Sequence, residues 1–374
     1  MGIYSIVLIH ILLLITEDLV KSVLKRTVLN GETRSVRIKF LDCWYPEVFT
    51  NPRLDGVTDY RTRQSALASL YFGTGNAYSK AFTNMGWDAE DIIGNDPLFW
   101  DANKVFQFLM NNPPDILYCQ DLCFLSAEQM KQLPCKKVGQ ISSKWPGDDV
   151  IRRYDLLFTS FPHYLGRFRN CGVRGEFLPI AFISDVLSAV TPVKRTIDVG
   201  FIGGLGDFGE GGYWSKGTEI IESVANNIPG FEWYGYFIGN INKYPNLART
   251  YKGKAFGIDM YNILAKTKIV INRHGEVSEG YTNNMRCFEA TGMGAVLFTE
   301  YSKNFDYYFK HKDEAMGYGS ISDLFYYLVE VLNNNSWREL LGERGQARTL
   351  KDHTYTKRLA EIEPTLKGLI KCDR

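Results

Sequence analysis

Residues 197–206 read Ile-Asp-Val-Gly-Phe-Ile-Gly-Gly-Leu-Gly, and residues 218–226 read Thr-Glu-Ile-Ile-Glu-Ser-Val-Ala-Asn. The first six residues are mostly apolar and partly β-branched, which predicts a buried β-strand. The glycine turn that follows lets backbone N–H groups approach a ligand closely. Apolar residues at helical spacing then predict a helix. This strand, turn and helix predict one unit of a doubly wound α/β domain.

The same alternation extends in both directions from this segment. Before it, strands are expected at 36–41, 116–119, 137–141 and 156–159, and helices at 61–85, 102–110 and 126–132. After it, strands are expected at 231–237, 269–272 and 295–299. Helices are expected at 260–265, with Asp259 as the cap, and at 284–291. Three more helices are expected to begin at Ser322–Asp323, at a capping box formed by Ser336 and Glu339, and at His353, the last of them ending at Pro364. Alternation of this kind predicts parallel sheets covered on both faces.

The expected fold class is therefore α/β, with two Rossmann-like domains facing each other across a cleft. Such domains bind ligands at the carboxyl ends of their strands. The predicted organisation is an apolar and amphipathic extension (1–34), a first domain (35–180), a linker (181–196), a second domain (197–352) and a C-terminal helical segment (353–374).

Composition excludes several classes of protein. The chain has 374 residues, of which 45% are apolar and 23% are charged, so it is globular and not disordered. A formal net charge of +1 gives no indication of a nucleic-acid partner. Seven irregularly spaced cysteines without a zinc-type histidine pair indicate reduced thiols, and a cytoplasmic location is expected.

The N-terminal extension allows two interpretations. Its apolar run, Ile6–Ile15, is shorter than the roughly 20 residues that span a bilayer. It lacks the small-residue cleavage site of a secretory signal. Residues 3–26 are either a helix or extension associated with the first domain, or a peripheral helix lying on a membrane surface.

Lys216 stands just before the predicted helix 218–226. A lysine there can neutralise a diphosphate without a metal ion; alternatively, it is a solvated side chain. The segment Gly204-x-Gly206-x-x-Gly209 also matches a dinucleotide-binding fingerprint. That interpretation is weaker, because the strand predicted at 231–237 does not end in the acidic residue that would hold a ribose.

Residues 283–294 read Asn-Asn-Met-Arg-Cys-Phe-Glu-Ala-Thr-Gly-Met-Gly. Arg286 and Glu289 are three residues apart, so they share one helix face. The carboxylate can accept hydrogen bonds from two ribose hydroxyls, and the arginine can bind phosphate. The alternative is an ordinary ion pair within the helix.

Two sets of motifs carry a family resemblance. Gly203-x(12)-Lys216-Gly217 and Phe288-Glu289-Ala290-x-Gly292-x-Gly294 resemble the donor domain of "group 1" glycosyltransferases with the GT-B fold. The branch resembling spore-maturation-protein glycosyltransferases is indicated by Asn272 at a strand end, by residues 284–290 and by His353-Thr-Tyr-x-x-Arg358. His353 itself is expected at the surface or capping a helix.

The resemblance implies that Lys216 holds the donor diphosphate and Glu289 the ribose. The chain departs from the family at Gly204, where many relatives have arginine, and at Thr282, where the family has an acidic residue. Arg286 is expected to supply the missing positive charge. The predicted donor-binding residues are Gly203, Gly204, Lys216, Asn272, His274, Asn284, Arg286 and Glu289.

Candidates for a catalytic base lie in the first domain, which holds the acceptor in GT-B enzymes. Asp42 and Asp121 follow predicted strands, and His163 follows Phe161-Pro162. A base there would take the proton of an acceptor hydroxyl. The alternatives are turn-capping aspartates and a structural histidine.

The expected function is transfer of a sugar from a nucleotide-diphospho-sugar to a hydroxyl of a glycan, glycolipid or similar acceptor. No metal ion and no other cofactor are expected, because Lys216, Arg286 and a helix dipole can stabilise the departing diphosphate. Two alternatives stay open: a non-catalytic nucleotide-sugar-binding protein on the same fold, and an NAD-dependent oxidoreductase.

Overall fold

The computed structural model describes residues 34–207 and 215–371. All strands and helices below lie in the unit Arg37–Arg374. Residues 1–33 are outside the described part, and with them the predicted N-terminal helix and its membrane contact through residues 3–26. No helix within the described ranges is both long enough and apolar enough to cross a membrane.

Thirteen strands are present in the described residues. The first six are β1 (Arg37–Asp42), β2 (Asp88–Ile93), β3 (Ile116–Cys119), β4 (Lys136–Ile141), β5 (Leu156–Thr159) and β6 (Arg174–Phe177). The others are β7 (Ile197–Ile202), β8 (Leu205–Gly206), β9 (Phe231–Tyr234), β10 (Phe237–Ile238), β11 (Thr267–Ile271), β12 (Val296–Glu300) and β13 (Met316–Tyr318).

These strands form two large parallel sheets and one small one. The first sheet has the order β2-β1-β3-β4-β5-β6, and the second has the order β13-β12-β11-β7-β9. β8 and β10 pair separately. In each large sheet the strand order reverses beside the first strand, between β1 and β3 or between β7 and β11. Ligands bind outside the carboxyl ends of the strands at such a reversal.

Helices connect the strands. They are α1 (Tyr60–Ala68), α2 (Ala77–Asn84), α3 (Ala102–Asn111), α4 (Ala127–Gln132), α5 (Asp148–Ile151), α6 (Tyr164–Asn170), α7 (Val186–Ala189), α8 (Ser215–Asn227), α9 (Pro245–Thr250), α10 (Gly257–Lys266), α11 (Met285–Gly292), α12 (Phe305–Tyr308), α13 (Ile321–Asn333), α14 (Asn335–Asp352) and α15 (Tyr355–Lys371). Short 3₁₀ turns occur at Pro46–Thr50, Pro52–Leu54, Ile241–Lys243 and Glu276–Ser278.

Alternation of side chains along the central strands builds a core on each face of the second sheet. In β11, Ile269 and Ile271 belong to one apolar cluster, whereas Val270 belongs to the other. Side chains alternate in this way because successive residues of a strand point to opposite faces. The prediction of parallel sheets covered on both faces is confirmed.

The segment predicted as a linker, 181–196, contributes to packing. Phe182 is buried, and its backbone exchanges hydrogen bonds with the chain entering α15: its N–H donates to the carbonyl oxygen of His353, and its own oxygen accepts from the N–H of Tyr355. The ring of Phe182 lies against Gly292, where an added Cβ would be 2.7 Å away. The domain boundaries themselves stay predictions.

Several local predictions are wrong. The helix expected at 61–85 is two helices, because the turn between them contains Gly73 and Gly75 with φ of 57° and 56°. Asp259 lies inside the first turn of α10 and does not cap it. α14 is capped by Asn334 and not by Ser336, and α15 continues through Pro364.

His353 holds the C-cap position of α14, one of the two placements expected for it, and it does not lie at the surface. The side chain is 2% exposed, and its Nε2 lies 2.9 Å from the carbonyl oxygen of Tyr308. The guanidinium of Arg358 lies 2.8 Å from its Nδ1. These two residues of the His-Thr-Tyr-x-x-Arg motif therefore fix the connection between α14 and α15.

Candidate functional site

A cavity of about 560 Å³ lies between the carboxyl ends of the two large sheets. Asp42 and Gln120 line it from the ends of β1 and β3, and Gly203 lines it from the end of β7. The strand order reverses at these places. We refer to this cavity as the cleft, to its β7 side as the donor wall and to its β1 side as the acceptor wall.

The backbone of the glycine turn forms part of the donor wall. Gly203 and Gly204 both line the cleft. A Cβ at position 204 would lie 2.6 Å from the ring of Tyr236, a distance that real Cβ atoms do not show. A side chain at position 204 would therefore require the ring of Tyr236 to move, whereas glycine leaves the ring in place beside the turn.

Arg286 is held in place at the start of α11. Its backbone N–H donates to the Asn284 side chain at 2.9 Å, and Asn284 Nδ2 donates to the oxygen of Arg273 at 3.1 Å. The guanidinium Nε donates to the carbonyl oxygen of Ile202 at 3.2 Å. Because Ile202 is the last residue of β7, this hydrogen bond holds the Arg286 side chain next to the glycine turn. Both Asn284 and Arg286 line the cleft.

Glu289 also lines the cleft, and its carboxylate pairs with Arg286 at 2.8 Å. The predicted placement of these two side chains on one helix face is confirmed. Glu289 is 5% exposed, and the hydroxyl of Tyr261 lies 3.4 Å from its Oε1. Burial raises the pKa of Glu289, and the positive charge of Arg286 opposes that rise. The pair is thus both an ion pair and part of the cavity wall.

Asn272 and His274 lie behind the donor wall and do not line it. Asn272 Nδ2 donates to Thr299 Oγ1 at 3.0 Å, and the same oxygen lies 3.0 Å from His274 Nε2. His274 Nδ1 lies 3.4 Å from the N–H of Asn283. Burial, and then the charge of Arg273, lower the pKa of His274 to about 4, so it is neutral at pH 7. Their contacts connect β11, β12 and the approach to α11.

Lys216 belongs to the first turn of α8 and does not precede that helix. Its side chain lies outside the described part of the structure, as does Gly209 of the dinucleotide fingerprint. Thr218 joins α8 to the glycine turn, because its Oγ1 donates to the oxygen of Gly206 at 2.9 Å. Gly217 lies against Arg273. The guanidinium of Arg273 fills the space that a side chain at position 217 would need.

On the acceptor wall, Asp42 presents a carboxylate to the cleft. Its Oδ1 accepts a hydrogen bond from the N–H of Cys43 at 2.8 Å, and its Oδ2 accepts one from Trp44 Nε1 at 3.1 Å. Burial raises its pKa to about 6, against the effect of these two donors and with a further contribution from Asp121. Asp42 is therefore mostly ionised at pH 7, yet close to its titration range.

The structure does not bring the other two catalytic candidates to the cleft. Asp121 Oδ1 accepts from the N–H of Cys123 at 2.8 Å, which caps the turn after β3. The ring of His163 stacks on that of Tyr281, with centroids 5.7 Å apart, and lies 3.7 Å from Glu279. Of the three candidates, only Asp42 lines the cavity.

Further residues that were not predicted from the sequence line the cleft, and Gln140 is the most informative of them. The hydroxyls of Tyr78 and Tyr118 both donate to its Oε1, at 2.6 and 2.9 Å. Its amide NH₂ is therefore the group left for a ligand in the cleft. The position of Gln140 near the carboxyl end of the predicted strand 137–141 was the available signal. Tyr355, which follows His353 and Thr354, also lines the cleft.

Within the described ranges, no three or more His, Cys, Asp or Glu side chains are grouped so as to hold a metal ion. The six described cysteines are all free.

Comparisons with known proteins add to this geometry. A family model described as glycosyl transferase-like matches residues 218–364, which include most of the second sheet together with Arg286 and Glu289. Comparison with curated protein sequences finds no significant match.

Solved structures share the architecture. Sucrose-phosphate synthase from Thermosynechococcus elongatus superposes with a TM-score of 0.58 at 10% identity, covering 91% of this chain and 100% of that chain. HepE from Anabaena, in complex with UDP-glucose, gives 0.54 at 13% identity, covering 88% and 99%. An α-glucosyltransferase in complex with UDP-glucose and DNA gives 0.61 at 9% identity, covering 89% and 100%.

Identities this low establish the fold, which is GT-B, and the family match adds the activity class. With a glycosyl transferase-like domain over residues 218–364 and the GT-B architecture around it, this chain is a glycosyltransferase.

Proposed function

We propose that the cleft binds a nucleotide-diphospho-sugar against the donor wall and an acceptor hydroxyl against the acceptor wall. One observation carries the proposal: Glu289 and Arg286 line the same cavity as Asp42, from the opposite wall. The proposed roles follow from the chemistry of each side chain.

For the donor, we propose that the Glu289 carboxylate accepts hydrogen bonds from the ribose hydroxyls. The diphosphate would lie over the backbone of Gly203 and Gly204, close to Arg286. HepE and the α-glucosyltransferase, which share the fold, are both in complex with UDP-glucose. These complexes favour a uridine diphosphate sugar among the candidate donors.

Charge on the departing diphosphate is proposed to be stabilised without a metal ion. Arg286 lies beside the glycine turn, and Lys216 belongs to the first turn of α8. The N-terminus of a helix carries a partial positive charge that attracts phosphate. Donors placed where negative charge develops stabilise the transition state more than the ground state.

On the acceptor wall, we propose that Asp42 takes the proton from the acceptor hydroxyl. The acceptor oxygen bonds to the anomeric carbon, and the bond between that carbon and the β-phosphate oxygen breaks. The nucleoside diphosphate leaves with the bonding electrons. Gln140 is placed to orient the acceptor or the transferred sugar through its amide NH₂.

We further propose that the chain is close to the spore-maturation-protein-like branch and acts in the cytoplasm on a glycan or lipid-linked acceptor. The motif residues Asn272, Arg286 and His353 support the branch. Residues 3–26 are the proposed contact with a membrane surface if the acceptor is lipid-linked.

A thermal-shift panel tests the donor side of this function. UDP-, GDP-, ADP- and CMP-linked sugars, the free diphosphates and NADH are each added to the purified protein. Stabilisation by one nucleoside diphosphate and its sugars, and not by NADH, is the expected result. Stabilisation by NADH alone would favour the oxidoreductase alternative, and donor binding without turnover on any acceptor would favour the non-catalytic one.

A further inference from the structure

A second cavity lies in the first half of the chain, beside the edge strand β2. Its volume is about 620 Å³, and residues of α1, of the start of α2 and of β2 line it. We call it the edge cavity. It does not share lining residues with the cleft.

The lining of the edge cavity combines uncharged polar groups with an apolar wall. Gln64 and Asn76 contribute amides, and Trp44, Leu67 and Ile93 contribute apolar surface. Gln64 Nε2 is buried and has no hydrogen-bond partner among the described residues. A buried donor without a partner is costly, so its NH₂ is a group that a bound ligand would satisfy.

The charged groups of the edge cavity are few and partly paired. Asp91 and Glu90 line it, together with the single cation Arg61. Glu90 is already paired with Lys39, and Ser79 Oγ donates to Asp91. Burial raises the pKa of Asp91 to about 7, so its carboxyl is partly protonated at pH 7 and can both donate and accept hydrogen bonds. These groups suit an uncharged ligand rich in hydroxyls.

The edge cavity and the cleft lie on two sides of one wall. Trp44 lines the edge cavity, and its Nε1 donates to Asp42 Oδ2 at 3.1 Å on the cleft side. Likewise, Asn76 lines the edge cavity while Thr74, two residues earlier, lines the cleft. The two cavities are therefore neighbours, and Trp44 and residues 74–76 stand between them.

We propose that the edge cavity is an acceptor subsite that binds an uncharged saccharide unit, remote from the hydroxyl that reacts at Asp42. This proposal rests on the proposed function, because it requires an acceptor in the cleft. The proposed acceptor class is a neutral oligosaccharide. The amide and carboxyl groups would form hydrogen bonds with its hydroxyls, and the apolar wall would contact its ring.

The test is binding to an array of immobilised oligosaccharides that carry neutral, uronic-acid or phosphorylated units. Wild type is compared with Gln64→Leu/Asn76→Leu and with Gln64→Glu, which keeps the side-chain size. Gln132→Leu, at an exposed glutamine of α4, is the matched control. UDP-sugar affinity and melting temperature are measured on the same preparations.

Wild type and the control are expected to bind neutral oligosaccharides, and the double variant to bind them about 10-fold more weakly, as the loss of two hydrogen bonds predicts. Donor affinity should stay within about twofold of wild type. Equal oligosaccharide binding by all variants, or binding of phosphorylated units only, would overturn the subsite. If wild type binds oligosaccharides but no nucleotide sugar, the proposed function fails instead.

Discussion

Asp42 and Glu289 face the cleft from opposite walls, and their surroundings differ. Glu289 pairs with a guanidinium at 2.8 Å, whereas Asp42 accepts hydrogen bonds from a backbone N–H and an indole N–H. Burial raises the pKa of both carboxyls. Because Arg286 favours the charged form of Glu289, that residue suits ligand binding. Asp42, close to its titration range, suits proton transfer.

Turnover is expected to rise with pH through about 6, because Asp42, the proposed base, must be ionised and its pKa is about 6. Asp42→Asn should lower turnover by at least ~10²-fold while leaving donor affinity unchanged. The measurement is a pH–rate profile together with calorimetry. A variant with near-normal turnover would show that Asp42 is not the base.

The same pKa has a consequence for stability. In the unfolded chain the carboxyl titrates near 3.8, so folding favours its protonated form. Asp42 therefore contributes stability that is present below pH 4 and is lost as pH rises through 6. The loss is about 1–2 kcal/mol after allowance for partial exposure. Urea unfolding at pH 4.5 and 7.5 should show a smaller pH dependence in Asp42→Asn.

Glu289→Ala is expected to weaken nucleotide-sugar binding by about 1–3 kcal/mol, the range for a lost hydrogen bond to a charged group. Stability should fall as well, because Arg286 would lose its buried partner. Glu289→Gln keeps the size of the side chain and separates the two effects. Calorimetric titration of both variants measures the donor affinity, and unchanged affinity in the folded variants would remove Glu289 from the donor site.

At the scale of the elements, the start of α10 joins the two halves of the unit. The N–H of Ile258 donates to the carbonyl oxygen of Leu70 at 2.6 Å. Gly257 has φ of 53°, and a Cβ there would lie 2.1 Å from that same oxygen. Only glycine allows this approach of α10 to the segment that follows α1, and both Gly257 and nearby Phe72 line the cleft.

Gly257→Ala is expected to lower both the melting temperature and the free energy of unfolding. The forced backbone shift should lower the free energy of unfolding by about 1–3 kcal/mol, and the strain of positive φ should lower it further. Gly56→Ala is the control, because Gly56 has φ of 71° and open space around its Cβ position. The melting temperature and the free energy of unfolding in urea are measured for both variants and for wild type. An equal effect in the two would mean that the contact with Leu70 contributes nothing.

The sequence predicted the central strands better than the edge strands. β3, β5 and β7 lie at the predicted residues, because strands buried on both faces are continuous apolar runs. β2 and β6 were missed, since Asp-Ala-Glu-Asp-Ile-Ile and Arg-Gly-Glu-Phe carry charges that edge strands tolerate. Local patterns do not show whether a strand has a neighbour on both sides.

At the scale of the whole molecule, the site forms where the strand-order reversals of the two sheets face each other. The family resemblance assigned Arg286 and Glu289 to the donor site, which lines the cleft, and motif spacing placed them on one helix face, because a helix fixes which side chains share a face. Neither distinguished Asp42, which lines the cleft, from Asp121, which caps a turn. Both follow a strand, and only tertiary packing decides the direction of each side chain.

Activity is expected to survive an excess of EDTA, because Arg286, Lys216 and the N-terminus of α8 are proposed to stabilise the diphosphate without a metal ion. The measurement is nucleoside diphosphate release with and without chelator, followed by addition of manganese or magnesium. Loss of activity on chelation, with recovery on adding either metal, would show that a metal ion supplies this charge.

The most direct test of the central claim is hydrogen exchange of the backbone amides, followed by mass spectrometry, with and without the nucleotide sugar that stabilises the protein most. The claim is that one cavity between the two sheets holds the donor. Slower exchange is therefore predicted on the donor wall, in residues 201–206 and 285–292, and also on the facing wall, in residues 42–45 and 71–75. Protection confined to segments away from both walls, despite saturating donor, would contradict it.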